Sequence, residues 1–106
     1  MPFRCAIFLS SSPAYDTDAL SAGEKAFVEP SASGPVLAIP TAHIWGRQDH
    51  TYKACSEGLS ALCSEPLRDC YVHEGGHEIP GARSTEDVQR CVMTINRTLD
   101  KTAIDQ

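Results

Sequence analysis

Residues 36–49 read VLAIPTAHIWGRQD, an apolar run that ends in a polar segment. We predict a strand over residues 41–45, because Pro40 has no N–H to donate to a sheet and is tolerated where a strand starts. Continuous apolar character is typical of strands in parallel sheets that are covered on both faces. Asp49 therefore lies just past the carboxyl end of a buried strand.

Two further strands are indicated on either side of this one. Residues 5–9, CAIFL, form a short apolar run closed by serines and Pro13, which predicts a strand buried on both faces. Residues 68–73, RDCYVH, predict a third short strand. An amphipathic helix that Pro66 ends is predicted between the second and third strands, from apolar residues at helical spacing: Tyr52, Cys55, Leu59, Leu62 and Cys63.

A last helix is predicted to start at Ser84, which forms a near capping box with Asp87. Residues 16–35, rich in Ser, Gly, Pro and acids, predict a loop or lid. The element order predicts an α/β domain over residues 1–106, with about three parallel strands, two flanking helices and a lid-like loop. The apolar stripe of the last helix consists of Val88, Cys91, Val92, Ile95 and Leu99.

Composition excludes several classes of partner. The net charge is −5 and no stripe of Lys or Arg is present, so nucleic acid is not an expected partner. No stretch is apolar enough for a membrane span, and the first apolar run is too short for a secretory signal. We therefore expect a cytoplasmic protein with no cofactor and with reduced, unpaired thiols at Cys5, Cys55, Cys63, Cys70 and Cys91.

Residues 73–77, HEGGH, formally match the zinc-protease pattern H-E-x-x-H. That chemistry needs a helix, so that both histidines face one metal, and two adjacent glycines disfavour a helix here. A looser metal site is conceivable from Cys63, Cys70, His73 and His77, but Cys is commonly a small core residue. A loop that carries His77 without any function is a third interpretation, and we predict no metal ligand.

A different hypothesis joins two loops. Asp49 follows the second strand and His77 follows the third, and parallel neighbours bring both loops to the same edge of the sheet. An Asp beside a His fixes the imidazole tautomer and stabilises its cation. A helix follows Asp49 at once, so this residue also fits a helix N-cap, and the two roles are compatible.

The two loops and the strand between them resemble a known family. Residues 39–49, IPTAHIWGRQD, followed by residues 73–80, HEGGHEIP, resemble the FSH group, the "family of serine hydrolases" of the α/β-hydrolase superfamily. Residues 3–15 resemble the strand that follows the nucleophile helix of that family. The resemblance implies the C-terminal half of an α/β-hydrolase fold, with Asp49 as triad acid and His77 as general base. It also implies an esterase or thioesterase that acts on a small acyl ester or thioester; fungal members often serve secondary-metabolite pathways.

The sequence departs from the family pattern at the nucleophile. It contains no Gly-x-Ser-x-Gly turn, and neither Ser56 nor Ser60 on the predicted helix has an evident activating partner. We therefore expect the chain alone to be inactive, and to self-associate or to need a complementing N-terminal half. Two alternatives to a hydrolase stay open: a non-catalytic binding or regulatory half-fold, and the Cys/His metal-binding protein considered above.

Overall fold

The computed structural model describes residues 3–12, 14–24, 26–28, 34–81 and 84–104. A parallel three-stranded sheet lies at its centre, in the order β1 (Ala6–Leu9), β2 (Thr41–Gly46) and β3 (Arg68–His73). All six residues of β2 are buried, as expected for the middle strand of a covered parallel sheet. The structure confirms the α/β class and the three parallel strands predicted from the sequence.

In the described part of the chain three α-helices accompany the sheet: α1 (Thr17–Ser21), α2 (Lys53–Ala61) and α3 (Thr85–Ile104). The short helix α1 lies in the predicted lid and is capped by Asp16; residues 25 and 29–33 of the lid lie outside the described residues. α2 ends at Ala61, before Pro66, which sits in a 3-10 turn that follows. The helix stops there because the next backbone groups bond elsewhere: the Ser64 N–H donates to the Leu37 carbonyl at 2.9 Å.

The two longer helices cover opposite faces of the sheet. Arg68 of β3 donates to the Ser60 carbonyl of α2 at 3.0 Å, whereas its neighbour Asp69 accepts from Arg97 of α3 at 2.7 Å. Successive strand residues point to opposite faces, so α2 and α3 lie on opposite sides of β3. The result is a helix–sheet–helix sandwich with β2 at its centre.

The first strand is less buried than its sequence predicts. Ile7 and Leu9 are 39% and 41% exposed, and their register with Ala42 and Ile44 places them on the face that α3 covers. Within the described residues β1 pairs only with β2, and α3 packs mainly on β3 and β2. The prediction of a strand buried on both faces is therefore wrong for β1 in this chain.

The apolar stripe predicted for α3 is also partly wrong. Val92 and Leu99 are 49% and 47% exposed, while Thr94 and Thr98 are almost completely buried. Each buried hydroxyl donates to the carbonyl four residues earlier, Thr94 to Arg90 at 2.8 Å and Thr98 to Thr94 at 3.0 Å. Burial of these two threonines leaves no hydroxyl without a hydrogen bond, so the helix can pack the side that carries Thr94 and Thr98 against the sheet.

Other features of the chain bear on the sequence-based expectations. All five cysteines carry free thiols. None of the helices within the described ranges is both long and apolar enough to span a membrane. Pro13 of the predicted turn, Ala82 and Arg83 of the loop before α3, and the chain ends 1–2 and 105–106 lie outside the described residues.

Candidate active site

Asp49 lies in the loop that joins β2 to α2, and it is only 3% exposed. Its Oδ1 accepts the Tyr52 N–H at 3.1 Å, and its carbonyl accepts the Lys53 N–H at 2.8 Å. The N-cap of α2 is Tyr52, three residues after Asp49, so the N-cap role predicted for Asp49 is wrong; its carboxylate instead satisfies the Tyr52 N–H in the turn that leads into the helix. The carboxylate is therefore held rigidly at the carboxyl end of β2.

His77 lies in the loop after β3 and reaches across to this carboxylate. Its Nδ1 is 2.7 Å from Asp49 Oδ2, a distance typical of a charge-assisted hydrogen bond. An ionised carboxylate can only accept, so Nδ1 carries the hydrogen and Nε2 of the neutral ring is left as the proton acceptor. The side chain of His77 is about half exposed, whereas that of Asp49 is nearly fully buried. The loop positions predicted for both residues thus bring them into contact.

The electrostatics of Asp49 suit this pair. Burial by itself raises the pKa of the carboxyl group, but hydrogen bonds from the His77 ring and the Tyr52 N–H, and the nearby imidazoles of His77 and His50, outweigh it. The net pKa of Asp49 lies below its usual value of 3.8. The acid is therefore ionised near neutral pH and can stabilise a positive charge on His77.

The two loops are held together at Gly46, the last residue of β2. A Cβ atom on Gly46 would lie 2.2 Å from the Gly76 carbonyl oxygen and 2.3 Å from that of Gly75, closer than packed atoms tolerate. The Arg47 N–H donates to the His73 carbonyl at 2.8 Å, and the Gln48 N–H donates to the Gly75 carbonyl at 3.0 Å. Glycine at position 46 is therefore what allows the His77 loop to approach the Asp49 loop.

The His77 loop is also fixed where it begins. His73 is almost completely buried, and its Nδ1 accepts the Gly75 N–H at 3.0 Å. Residues 73–77 accordingly form a strand end and a bend, not the helix that the H-E-x-x-H mechanism requires. His73 and His77 thus point to different partners, and no group of three or more His, Cys, Asp or Glu side chains in the described ranges could hold a metal ion.

Side-chain hydrogen bonds to α3 fix the far end of the same loop. Asp87 of α3 accepts hydrogen bonds from the Tyr71 hydroxyl and, at 2.8 Å, from the Ser84 hydroxyl. The bond to Asp87 is the main cause that raises the pKa of Tyr71 to about 12, and the same contacts lower the pKa of Asp87. Ser84 Oγ also accepts the Asp87 N–H at 3.4 Å, which provides half of the predicted capping box.

Tyr52 is a site residue that the sequence pattern did not single out. Helical spacing places it on the apolar face of the predicted helix, yet its ring packs on His77 with ring centroids 4.6 Å apart. The signal that could have found it is its position shortly after Asp49, because an Asp side chain can accept the backbone N–H of a residue a few places further along the chain.

No nucleophile accompanies the pair in the described part of the chain. The Ser56 hydroxyl donates to the Ser11 carbonyl at 3.3 Å and the Ser60 hydroxyl to the Glu57 carbonyl at 2.8 Å, so both serve the packing of α2. No serine among the described residues is hydrogen bonded to the His77 ring. A cavity of about 540 Å³ lies against the loop that carries His77, lined by residues 73–75, 78–81, Ser84 and Asp87 and by neither Asp49 nor His77.

Comparisons with known proteins identify one family model and three curated relatives. The family model described as "Serine hydrolase (FSH1)" matches residues 1–89. The chain is 36% identical to esterase FPY3 of Fusarium mangiferae over 106 residues, which cover 99% of this chain and 48% of that protein. It is 30% identical to hydrolase phiM of a fungal species over 103 residues, covering 97% of this chain and 45% of that protein.

A shorter match of 61 residues, 38% identical, joins the chain to esterase alnB of Emericella nidulans and covers 57% of this chain and 21% of that protein. The chain thus spans less than half the length of each of these curated relatives. No solved structure matches it.

Proposed function

Because this chain belongs to the FSH1 serine hydrolase family, we propose that it supplies the acid and the general base for hydrolysis of carboxylic esters or thioesters. The observation that carries the proposal is the 2.7 Å hydrogen bond between His77 Nδ1 and the buried Asp49 carboxylate. Asp49 orients the ring, and His77 Nε2 exchanges the proton. The nucleophilic serine comes from a second, N-terminal segment, since this sequence has no Gly-x-Ser-x-Gly turn.

The proposed reaction is an acyl transfer to the serine followed by hydrolysis. The serine oxygen bonds to the acyl carbon while His77 Nε2 takes the hydroxyl proton. The C–O or C–S bond then breaks, and the same proton passes to the departing alcohol or thiol. In the second half of the cycle Nε2 takes a proton from water as the water oxygen bonds to the acyl carbon; the acyl–serine bond breaks, and the proton returns to the serine oxygen. In both halves Asp49 stabilises the transient imidazolium.

Fungal secondary metabolism is the proposed setting, and a cytoplasmic location is proposed with it. All three relatives named above come from fungi, and two of them are named esterases. The names of the two esterases support the ester part of the substrate class proposed for this chain, and the thioester alternative rests on the family resemblance of residues 39–49 and 73–80.

The experiment is complementation of the missing segment. The chain is co-expressed with the part of the Fusarium mangiferae esterase that its alignment leaves uncovered, and the purified complex is treated with a fluorophosphonate probe and a p-nitrophenyl ester. We expect labelling and hydrolysis only in the complex. His77→Gln in this chain should reduce turnover by roughly 10³-fold or more, and Asp49→Asn should also reduce it severely. Glu57→Gln, an exposed residue of α2 outside the pair, is the matched control.

A complex that forms but neither reacts with the probe nor hydrolyses the ester would contradict the proposal. That outcome favours the second candidate function, a non-catalytic binding half-fold. The absence of a Gly-x-Ser-x-Gly turn from this sequence supports that candidate.

A further inference from the structure

The geometry around Asp49 points to a third residue beside the Asp49–His77 pair: we propose that Tyr52 is a positioning residue, whose ring holds the His77 imidazole against the Asp49 carboxylate. This inference rests on the proposed function only for its effect on turnover. The contact itself can be tested whether or not the chain is part of an active hydrolase.

The two rings are close enough for their contact to restrain His77. Their centroids are 4.6 Å apart and their planes meet at 34°, which lies within the range of favourable aromatic pairs. About half of the His77 side chain is exposed, although its partner Asp49 is buried. Tyr52 therefore covers part of the one member of the pair that water can reach.

The backbone of Tyr52 fixes its ring relative to the same carboxylate. Asp49 Oδ1 accepts the Tyr52 N–H at 3.1 Å, and Oδ2 bonds His77 Nδ1 at 2.7 Å. Each of the three residues therefore contacts the other two. Such a closed set leaves the imidazole little freedom to rotate away from Asp49, and it explains why an aromatic residue stands at the start of α2, where no side-chain cap is formed.

The general-base role proposed for His77 gives the Tyr52 ring a second effect. When His77 takes a proton it becomes a cation, and an aromatic face within about 6 Å attracts a cation. The ring also lowers the access of water to the Nδ1–H bond. Both effects come from the ring face and neither needs the phenol hydroxyl, so phenylalanine should replace tyrosine here.

The test is residue-resolved modification of the dilute chain with diethyl pyrocarbonate, read by mass spectrometry. Tyr52→Ala and Tyr52→Leu should raise the modification rate of His77 roughly two- to tenfold, and Tyr52→Phe should restore the wild-type rate. His50, which is exposed, serves as an internal reference, and the buried His73 should stay unmodified while the fold is intact. Lys53→Ala, one residue further along α2, is the control substitution.

In the complemented enzyme, Tyr52→Ala should lower kcat by a similar factor and leave KM unchanged, with recovery in Tyr52→Phe. An unchanged His77 modification rate in both Tyr52→Ala and Tyr52→Leu would overturn the inference, even if the complex hydrolyses esters. Faster modification together with an inactive wild-type complex would instead support the contact and contradict the proposed function. If His73 becomes reactive in Tyr52→Ala, that variant has lost its fold, and the His77 modification rate of Tyr52→Leu then decides whether the inference holds.

Discussion

His43 is a buried imidazole at the centre of β2, stacked on Phe8 with ring centroids 5.1 Å apart. Burial, assisted by the positive charge of Arg68, lowers its pKa from 6.5 to about 4. Between these values the unfolded chain binds a proton that the folded chain does not, so stability must rise with pH across this window. A pKa shift of this size changes the free energy of unfolding by about 3 kcal/mol between the acidic and the neutral side of this window.

We therefore expect His43→Gln to flatten the pH dependence of the free energy of unfolding between about pH 6.5 and pH 4. Urea unfolding at several pH values in this window measures it, with Gln89→Ala, an exposed substitution that removes no titratable group, as the control that should keep the wild-type slope. An equal slope in wild type and His43→Gln would show that the ring is charged inside the folded protein.

Asp49 gives a pH dependence of the same sign at more acidic pH, because its folded pKa also lies below its ordinary value, 3.8. Its contribution to stability is fully present above the unfolded value and is lost as pH falls through the folded value. The advantage of wild type over Asp49→Asn in free energy of unfolding should thus be greatest near neutral pH and shrink below about pH 4. If the difference in free energy of unfolding between wild type and Asp49→Asn persists unchanged in acid, the charge of the carboxylate does not hold His77.

At the scale of elements, the two active-site loops depend on a glycine at the end of β2. Gly46→Ala places a methyl group 2.2 Å from the Gly76 carbonyl oxygen, and backbone on both sides prevents easy relief. We expect a loss of about 1–3 kcal/mol in stability, together with faster chemical modification of His77 as its loop moves away from Asp49. The same substitution at Gly58 in α2 meets no atom within 4 Å and should stabilise the chain by roughly 0.5–1 kcal/mol.

Unfolding curves and His77 modification rates for the two alanine variants provide the comparison. Equal effects of the two substitutions would show that the loops can separate without cost, and that Gly46 is not needed for their approach.

The element scale also shows what sequence patterns can and cannot predict. The Asp49 and His77 loops were predictable, because strand–helix–strand order alone brings successive strand ends to one edge of a sheet. The orientation of α3 was not predictable. Thr98 is a polar residue, but its hydroxyl bonds the Thr94 carbonyl, so its side chain can be buried as an apolar one would be. The packing of Tyr52 on His77 was missed because periodicity places a side chain on a face of a helix but does not identify its neighbour.

At the scale of the whole molecule, an apolar surface remains uncovered between β1 and α3. Ile7 and Leu9 of β1 are exposed on the face that α3 covers elsewhere. Arg97 on one flank of α3 bonds Asp69 of β3, so helical geometry turns the opposite flank, with Val92 and Leu99, toward β1. We call these four apolar residues, Ile7, Leu9, Val92 and Leu99, the open face. The edge of β1 beside it offers backbone groups that no strand in the described part of the chain pairs.

Exposed apolar surface next to an unpaired strand edge favours association, so the isolated chain should not behave as a stable monomer. Sedimentation velocity over a dilution series should show dimers or larger species. Leu9→Lys, which places a charge on the open face, should reduce association; Val36→Lys, at an exposed apolar residue outside this face, should leave it unchanged. The N-terminal half used for complementation should also suppress self-association, because both would occupy the same strand edge. A dilute, monodisperse monomer that unfolds cooperatively would contradict this expectation and show that the helices α2 and α3 bury enough of the sheet for the chain to stand alone.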